Sequence, residues 1–278
     1  MELPVVVGVD GSEPGMEAVD WAVDEAALRG VQLRVLHASL WQRFEHYASV
    51  ASPTEAEQPP EWVLAERILA AAQQRAARRQ PEVHVTGQVH GSDPVDMLVR
   101  AGERAAVVVT GARGRGPVRE TLLGSVGLGT AGRATCPTVV VRDGARTPQR
   151  AGTVVLGVGA RSQGAPAVSF ACQEAEERGW DLLCVRALGR STGSEKAAER
   201  ARTEELLSAI LPSSARVNVR TALVEGNAWH VLLEAAQDAG LLVVGARRRQ
   251  GVFGLELGLV NHAALMYAQC PVAVVPRR

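Results

Sequence analysis

Residues 110–127, TGARGRGPVRETLLGSVG, place five glycines and three arginines directly behind the apolar run AAVVV at 105–109. Glycine lets backbone N–H groups approach an anionic oxygen with no Cβ in the way, and arginine supplies compensating charge. Phosphate binding is one reading of the stretch, and a solvated surface turn is the other. Its spacing is defined: Gly111 and Gly114, nine residues, then Gly124 and Ser125. Gly111, Gly114 and Gly116 would open the main chain to phosphate, with Arg113, Arg115 and Arg119 beside them. The segment Gly124–Ser125–Val126 would open a helix whose free amides and positive dipole end suit an anion.

Other nucleotide sites fail on spacing. A Walker loop needs lysine after its last glycine, but Pro117 follows Gly116, and Lys196 is the only lysine in the chain. The same scarcity removes the protein-kinase arrangement. A dinucleotide fold needs G-x-G-x-x-G after its first strand, where this chain reads GVDGSEPG. Ser125 is no nucleophile elbow, because Leu123 stands where the first glycine belongs. No catalytic residue is assigned on these grounds. Four cysteines without a C-x-x-C pair and six histidines without metal-ligand spacing argue against disulfide and zinc frameworks. With 30 basic and 30 acidic residues, no net charge attracts nucleic acid or an anionic membrane. The start MELPVVVGVDGS lacks the basic lead and apolar length of a signal peptide, so a cytoplasmic location is expected.

The elements that must position these residues occur twice. PVVVGVDGS (4–12) returns as TVVLGVGAR (153–161), and RGVQLRVLHA (29–38) as RGWDLLCVRA (178–187), both displaced by 149 residues. TCPTVVVR (135–142) returns as QCPVAVVP (269–276), displaced by 134, because the second copy lacks about fifteen residues of the polar loop 41–61. Two domains, 1–145 and 152–278, are expected, joined by the polar stretch 143–152. In the first copy strands are predicted near 4–9, 31–38, 82–89, 105–110 and 137–142, and helices near 14–29, 60–79, 93–104 and 125–134. The last helix carries Gly127, Gly129 and Gly132, each costing about 1 kcal/mol relative to alanine. Consecutive apolar positions in the strands fit parallel pairing covered on both faces. The fold class is therefore α/β, two tandem three-layer domains. Ser12 and Ser92 read as helix caps, His37 as a packed, hydrogen-bonded histidine, and Trp21 and Phe170 as equivalent core residues.

Taken with VVVGVDGS at the start, LHA closing the second strand, CPTVVVR closing the copy, and the duplication, the glycine pattern resembles that of the universal stress protein family in its ATP-binding branch. The resemblance spans nearly the whole chain. It implies a five-stranded sheet of order 3-2-1-4-5 in each domain, with Asp10 and Gly111 facing one crevice. It implies that Gly8, Val9 and Asp10 border the nucleotide, with Asp10 toward the ribose or a Mg²⁺–phosphate end, and that the Ala38 backbone meets the adenine edge. Gly111, Ala112, Arg113, Gly114, Arg115 and Gly116, with Gly124, Ser125 and Val126, would hold the phosphates. The rival reading of Asp10 is a turn or helix cap.

The second copy departs from this set: Asp10 becomes Gly159, Gly114 becomes Arg248 and Ser125 becomes Leu259, while Gly245 and Gly258 remain. One ATP per chain, in the first domain, is expected. The resemblance implies a nucleotide-dependent stress-response regulator whose closing edge strands join the two copies as an internal pseudo-dimer, with a further homodimer and an unknown protein partner expected. A nucleotide-free adaptor and an ATP-hydrolysing or adenylating enzyme are the alternatives.

Overall fold

The computed structural model describes residues 2–39, 60–112, 124–142, 152–159, 165–189, 193–210, 216–246 and 257–277. The chain divides into two compact units, Met1–Asp143 and Gly144–Arg278. In the first, β1 (Val5–Gly8), α1 (Glu13–Arg29), β2 (Leu33–Ala38), α2 (Pro60–Arg79), β3 (Val85–His90), α3 (Pro94–Gly102), β4 (Val107–Gly111), α4 (Ser125–Arg133) and β5 (Thr138–Val141) alternate. The second repeats the pattern with β6 (Thr153–Gly157), α5 (Ala165–Arg178), β7 (Asp181–Leu188), α6 (Gly193–Ile210), β8 (Val219–Glu225), α7 (Ala228–Ala235), β9 (Leu241–Ala246), α8 (Leu259–Tyr267) and β10 (Val272–Pro276).

Strand order is β3-β2-β1-β4-β5 in the first unit and β8-β7-β6-β9-β10 in the second. Within each unit every pair is parallel: Val5 stands beside Leu33 and Val107, and Val154 beside Leu182 and Leu241. The central strands are valine-rich because both faces are covered; Val5, Val6, Val7, Val107, Val108 and Val109 are fully buried. Within the first unit the strand order reverses between β1 and β4, and within the second between β6 and β9. Such reversals leave a crevice beyond the strands' carboxyl ends.

Local chemistry fixes the helices. Ser12 caps α1 by accepting from Gly15 N at 3.2 Å, Pro14 lies in its first turn, and Gly30 ends it at φ 65°. Gly179 repeats that left-handed stop after α5. Arg75 of α2 grips Asp20 of α1 through two hydrogen bonds at 2.9 and 2.7 Å, and Arg79 grips Asp24 at 2.8 and 2.7 Å. These forks tie α2 to α1 with defined geometry. Trp21 and Phe170 are buried at equivalent places in α1 and α5. Ser92 is not the cap of α3. Asp93 takes that role, accepting from Val95 N at 2.9 Å and Asp96 N at 3.2 Å, one residue nearer to Pro94.

Helix α4 forms despite its glycines because the space they leave is used. A Cβ at Gly127 would stand 3.3 Å from Thr110 Oγ1, and one at Gly129 would stand 3.0 Å from a Val95 methyl. Close packing on β4 and α3 thus offsets weak helix propensity. The second unit carries a comparable device: Trp180 fits because Gly152 and Gly240 flank its ring, and a Cβ at Gly240 would come within 2.2 Å of Trp180 Cζ3. Gly240→Ala should therefore destabilise the protein by about 1–3 kcal/mol, since neither the ring nor the strand can yield freely. Denaturant unfolding followed by tryptophan fluorescence measures this, and an unchanged midpoint would contradict the packing.

The four cysteines are free and buried. Burial pushes the Cys136 thiol up to about 11 and the Cys184 thiol up to about 12. Thiolates are the reactive form, so a disulfide reagent at neutral pH should label the native chain slowly and the unfolded chain at all four sites. Mass spectrometry of the labelled protein counts the modified thiols.

Candidate functional site

Beyond the paired positions Gly8 and Thr110, the ends of β1 and β4 diverge and open the first unit's crevice. Gly8 gives its Cβ space to Leu98 of α3, 2.9 Å from where that atom would lie. Val9 is buried and donates its N–H to Leu36 O at 2.9 Å. Asp10 turns the chain into α1: its Oδ1 accepts from Ser12 N at 3.0 Å and Ser12 Oγ at 2.5 Å. That is the turn-capping geometry of an aspartate, the rival reading of this residue in the sequence. His37 Nδ1 lies 2.8 Å from Val9 O, a donor to the carbonyl that fixes the ring.

Gly111 lies under the first turn of α1, where a Cβ would stand 2.7 Å from Pro14 O and 3.1 Å from Gly15 N. Gly15 in turn leaves room for Asp10, whose Oδ1 would be 2.9 Å from a Cβ there. The structure thus brings Asp10 and Gly111 together through Pro14 and Gly15. Ala112 follows, buried, with its N–H on Val141 O at 2.8 Å. Its carbonyl accepts from Gly124 N at 2.7 Å, which places the start of α4 beside the end of β4. Ser125 is exposed at the first position of α4. Val126 and Ala38 pack against one apolar cluster with Leu36, Met97 and Leu98. Arg113, Gly114, Arg115 and Gly116 lie outside the described residues.

Helix starts differ in a way that matters chemically. Ser12, Asp93 and Asn227 cap α1, α3 and α7 with side-chain oxygens. Gly124 and Gly258 begin α4 and α8 with no side-chain cap bond. The first-turn amides of these two helices therefore receive no acceptor from the capping residue, and they sit at the positive end of the helix dipole.

The second unit shows what the crevice looks like with different side chains. Gly157, Val158, Gly159, Ala187, Gly245 and Val260 are the counterparts of Gly8, Val9, Asp10, Ala38, Gly111 and Val126. All six line a single cavity of about 340 Å³. Two further lining residues escaped the reading of the sequence. Asn261, where the first copy has Gly127, donates from Nδ2 to Gly245 O at 3.2 Å. Arg277, where the first copy has Asp143, reaches over the two glycines: Cβ atoms at Gly159 and Gly245 would lie 3.8 and 4.0 Å from its Nη2 and Nε. Extending the alignment of the two copies by one residue past β5 and β10 would have exposed the Asp143 to Arg277 exchange. Arg186, the counterpart of His37, donates from Nη1 to Gly159 O at 2.9 Å and pairs with Glu199 of α6.

Among the described residues, no helix is long and apolar enough to cross a membrane. The family model described as "Universal stress protein family" matches residues 2–142 and again 151–276. Universal stress protein Rv2623 of Mycobacterium tuberculosis is 37% identical over 293 residues, covering 98% of this chain and 96% of its own length. Universal stress protein Rv2005c of the same organism is 30% identical over 292 residues, covering 97% and 96%. Among solved structures, a universal stress protein from Archaeoglobus fulgidus superposes with a TM-score of 0.72 at 19% identity, covering 99% of this chain and 98% of that one. Two matches of one family model, relatives alike from end to end and a shared fold lead to one conclusion: the chain belongs to the universal stress protein family and carries its domain twice.

Proposed function

We propose that the first unit binds one ATP per chain and that its occupancy regulates the protein's associations in a stress response. The observation that carries this reading is the bond from Gly124 N to Ala112 O. It sets the uncapped first turn of α4 against the end of β4, at the point where strand order reverses. A phosphate there would accept from main-chain amides on the helix and on the Gly111–Gly116 loop, with Ser125 adding a hydroxyl. Ala38 and Val126, sharing one apolar cluster, would flank the base. Asp10 would supply a carboxylate there, and carboxylate oxygen suits the Mg²⁺ that accompanies a triphosphate. The sequence supplies no nucleophile, Walker lysine or evident general base, so the chemistry supported is retention of the nucleotide rather than its turnover. A homodimer and a protein partner belong to the same reading.

Equilibrium dialysis should give one ATP per chain, and two bound nucleotides, or none, would defeat the reading. Ser125→Leu, which installs the second copy's residue at an exposed position, should weaken ATP binding about fivefold to tenfold for one lost hydrogen bond, with unfolding unchanged. Asp10→Ala should weaken binding and also lower stability by about 1 kcal/mol, because Ser12 loses its partner. Isothermal titration and thermal unfolding of the same samples separate the two effects.

A further inference from the structure

The two units seat the equivalent helices α4 and α8 on their sheets with opposite chemistry. Gly127, Thr130 and Ala131 are the buried residues of α4, and Asn261, Ala264 and Leu265 hold the same places in α8. Leu265 is fully buried, where Ala131 offers a single methyl, so α4 removes less apolar surface from water. Gly129 and Gly132 stand where α8 has Ala263 and Met266, which weakens α4 further as a helix.

The layer beneath α4 is hydroxylic. Thr110 stands in register beside Val140, and Thr138 beside Val108. Alternate residues of a strand share a face, so both threonines lie on the side where Gly127 approaches Thr110 Oγ1 and Val140 Cγ1. Thr110 is 3% exposed, Thr130 and Thr138 are fully buried, and none of the three hydroxyls has a hydrogen-bond partner among the described residues. The second unit carries Val244, Ala264 and Val272 at these positions, all buried and all apolar. A buried hydroxyl without a bond costs free energy that a methyl in the same place does not. The fold does not demand threonine there, because the second copy does without it. Anchoring is uneven along α4: beyond its carboxyl end Ala134 and Cys136 join the apolar cluster of Val108 and Leu98, while its start is fastened by Gly124 N on Ala112 O with no capping side chain. Arg133 pairs with Asp96 at 2.6 Å, an exposed contact that adds little.

We infer that α4 is a conformational switch: its first turns lift from the sheet about the anchored carboxyl end, Thr110 and Thr130 regain water, and α8 stays seated. Lifting carries the first-turn amides away from the end of β4. A phosphate that accepts from those amides therefore binds the seated form alone and draws the equilibrium toward it. This coupling rests on the ATP reading of the first unit; the loose seating stands on the packing of α4 itself.

Hydrogen exchange of the full chain, read by mass spectrometry as protection factors, tests the switch with α8 as internal reference. Without nucleotide, α4 should be at least about tenfold less protected than α8. Thr110→Val and Thr130→Val keep the side-chain shape and remove the hydroxyl; together they should raise α4 protection about tenfold, each should raise it alone, and α8 should not change. ATP with Mg²⁺ at about a hundred times the Kd found by titration should raise α4 protection about a hundredfold and leave α8 as it was. Equal protection of the two helices, no gain in either single variant, or ATP that binds without protecting α4 would overturn the inference. If no ATP binds while α4 remains the less protected helix and gains protection on losing its hydroxyls, the loose seating stands and the nucleotide reading of the first unit fails.

Discussion

The crevice of the first unit depends on one close approach of main chain to main chain. At the end of β4 a Cβ on residue 111 would stand 2.7 Å from Pro14 O and 2.8 Å from Pro14 C. Both obstacles are backbone atoms of the first turn of α1, so no side-chain rotation could relieve them, and glycine is required. Because Gly15 is equally tight against Asp10, the contact locks residues about a hundred positions apart into one surface. Ala112 inherits its place from Gly111, and through its two hydrogen bonds it holds Val141 on one side and Gly124 on the other. The start of α4 therefore lies where it does because β4 can pass under α1.

The duplicated unit shows which parts of this arrangement are general. Gly8 against Leu98 and Gly157 against Leu232 are the same packing, with a Cβ placed 2.9 and 3.0 Å from a leucine methyl. Asp93 and Asn227 cap equivalent helices by the same main-chain bond. At Gly245 the constraint relaxes: a Cβ there would meet Ala167 Cβ at 3.7 Å and Arg277 Nε at 4.0 Å, ordinary distances. The glycine is then not demanded by packing, and the room it leaves belongs to the cavity. The scaffold is thus common to both copies, and the crevice floor is where they differ.

Much of this was legible beforehand because it is encoded locally or by repetition. β-branched runs, alternating with Ala- and Leu-rich stretches, put the strands and helices of the first copy within three residues of their observed ends, the start of β3 at Val85 rather than 82 being the largest difference. The parallel sheet of order 3-2-1-4-5 follows from the family resemblance and is observed in both units. Helix α4 looked weakest on propensity, and it forms because tertiary packing uses Gly127 and Gly129, information that no local window contains. Ser92 was a reasonable cap by type, but the N1 preference of Pro94 shifts the cap to Asp93. The exchange of Asp143 for Arg277 is readable one residue past the matched segments, but its reach across two glycines more than thirty and a hundred residues away exists only in the assembled sheet.

Charge matching decides what either crevice could accept. Moving an ion from water into an apolar site is costly unless each charge finds a partner. Among the described residues that line the second unit's cavity, Arg277 is charged and none is acidic. In the first unit a carboxylate such as Asp10 at the crevice would repel a bare anion but accept one that arrives with a divalent cation. The uncapped amides of α4 then share the remaining negative charge, distributed over several donors rather than concentrated on one side chain. In the sequence Asp10 gives way to Gly159 and Asp143 to Arg277, which replaces two acidic residues with one basic one. The two copies therefore differ in side-chain charge on a scaffold whose glycine contacts they largely share.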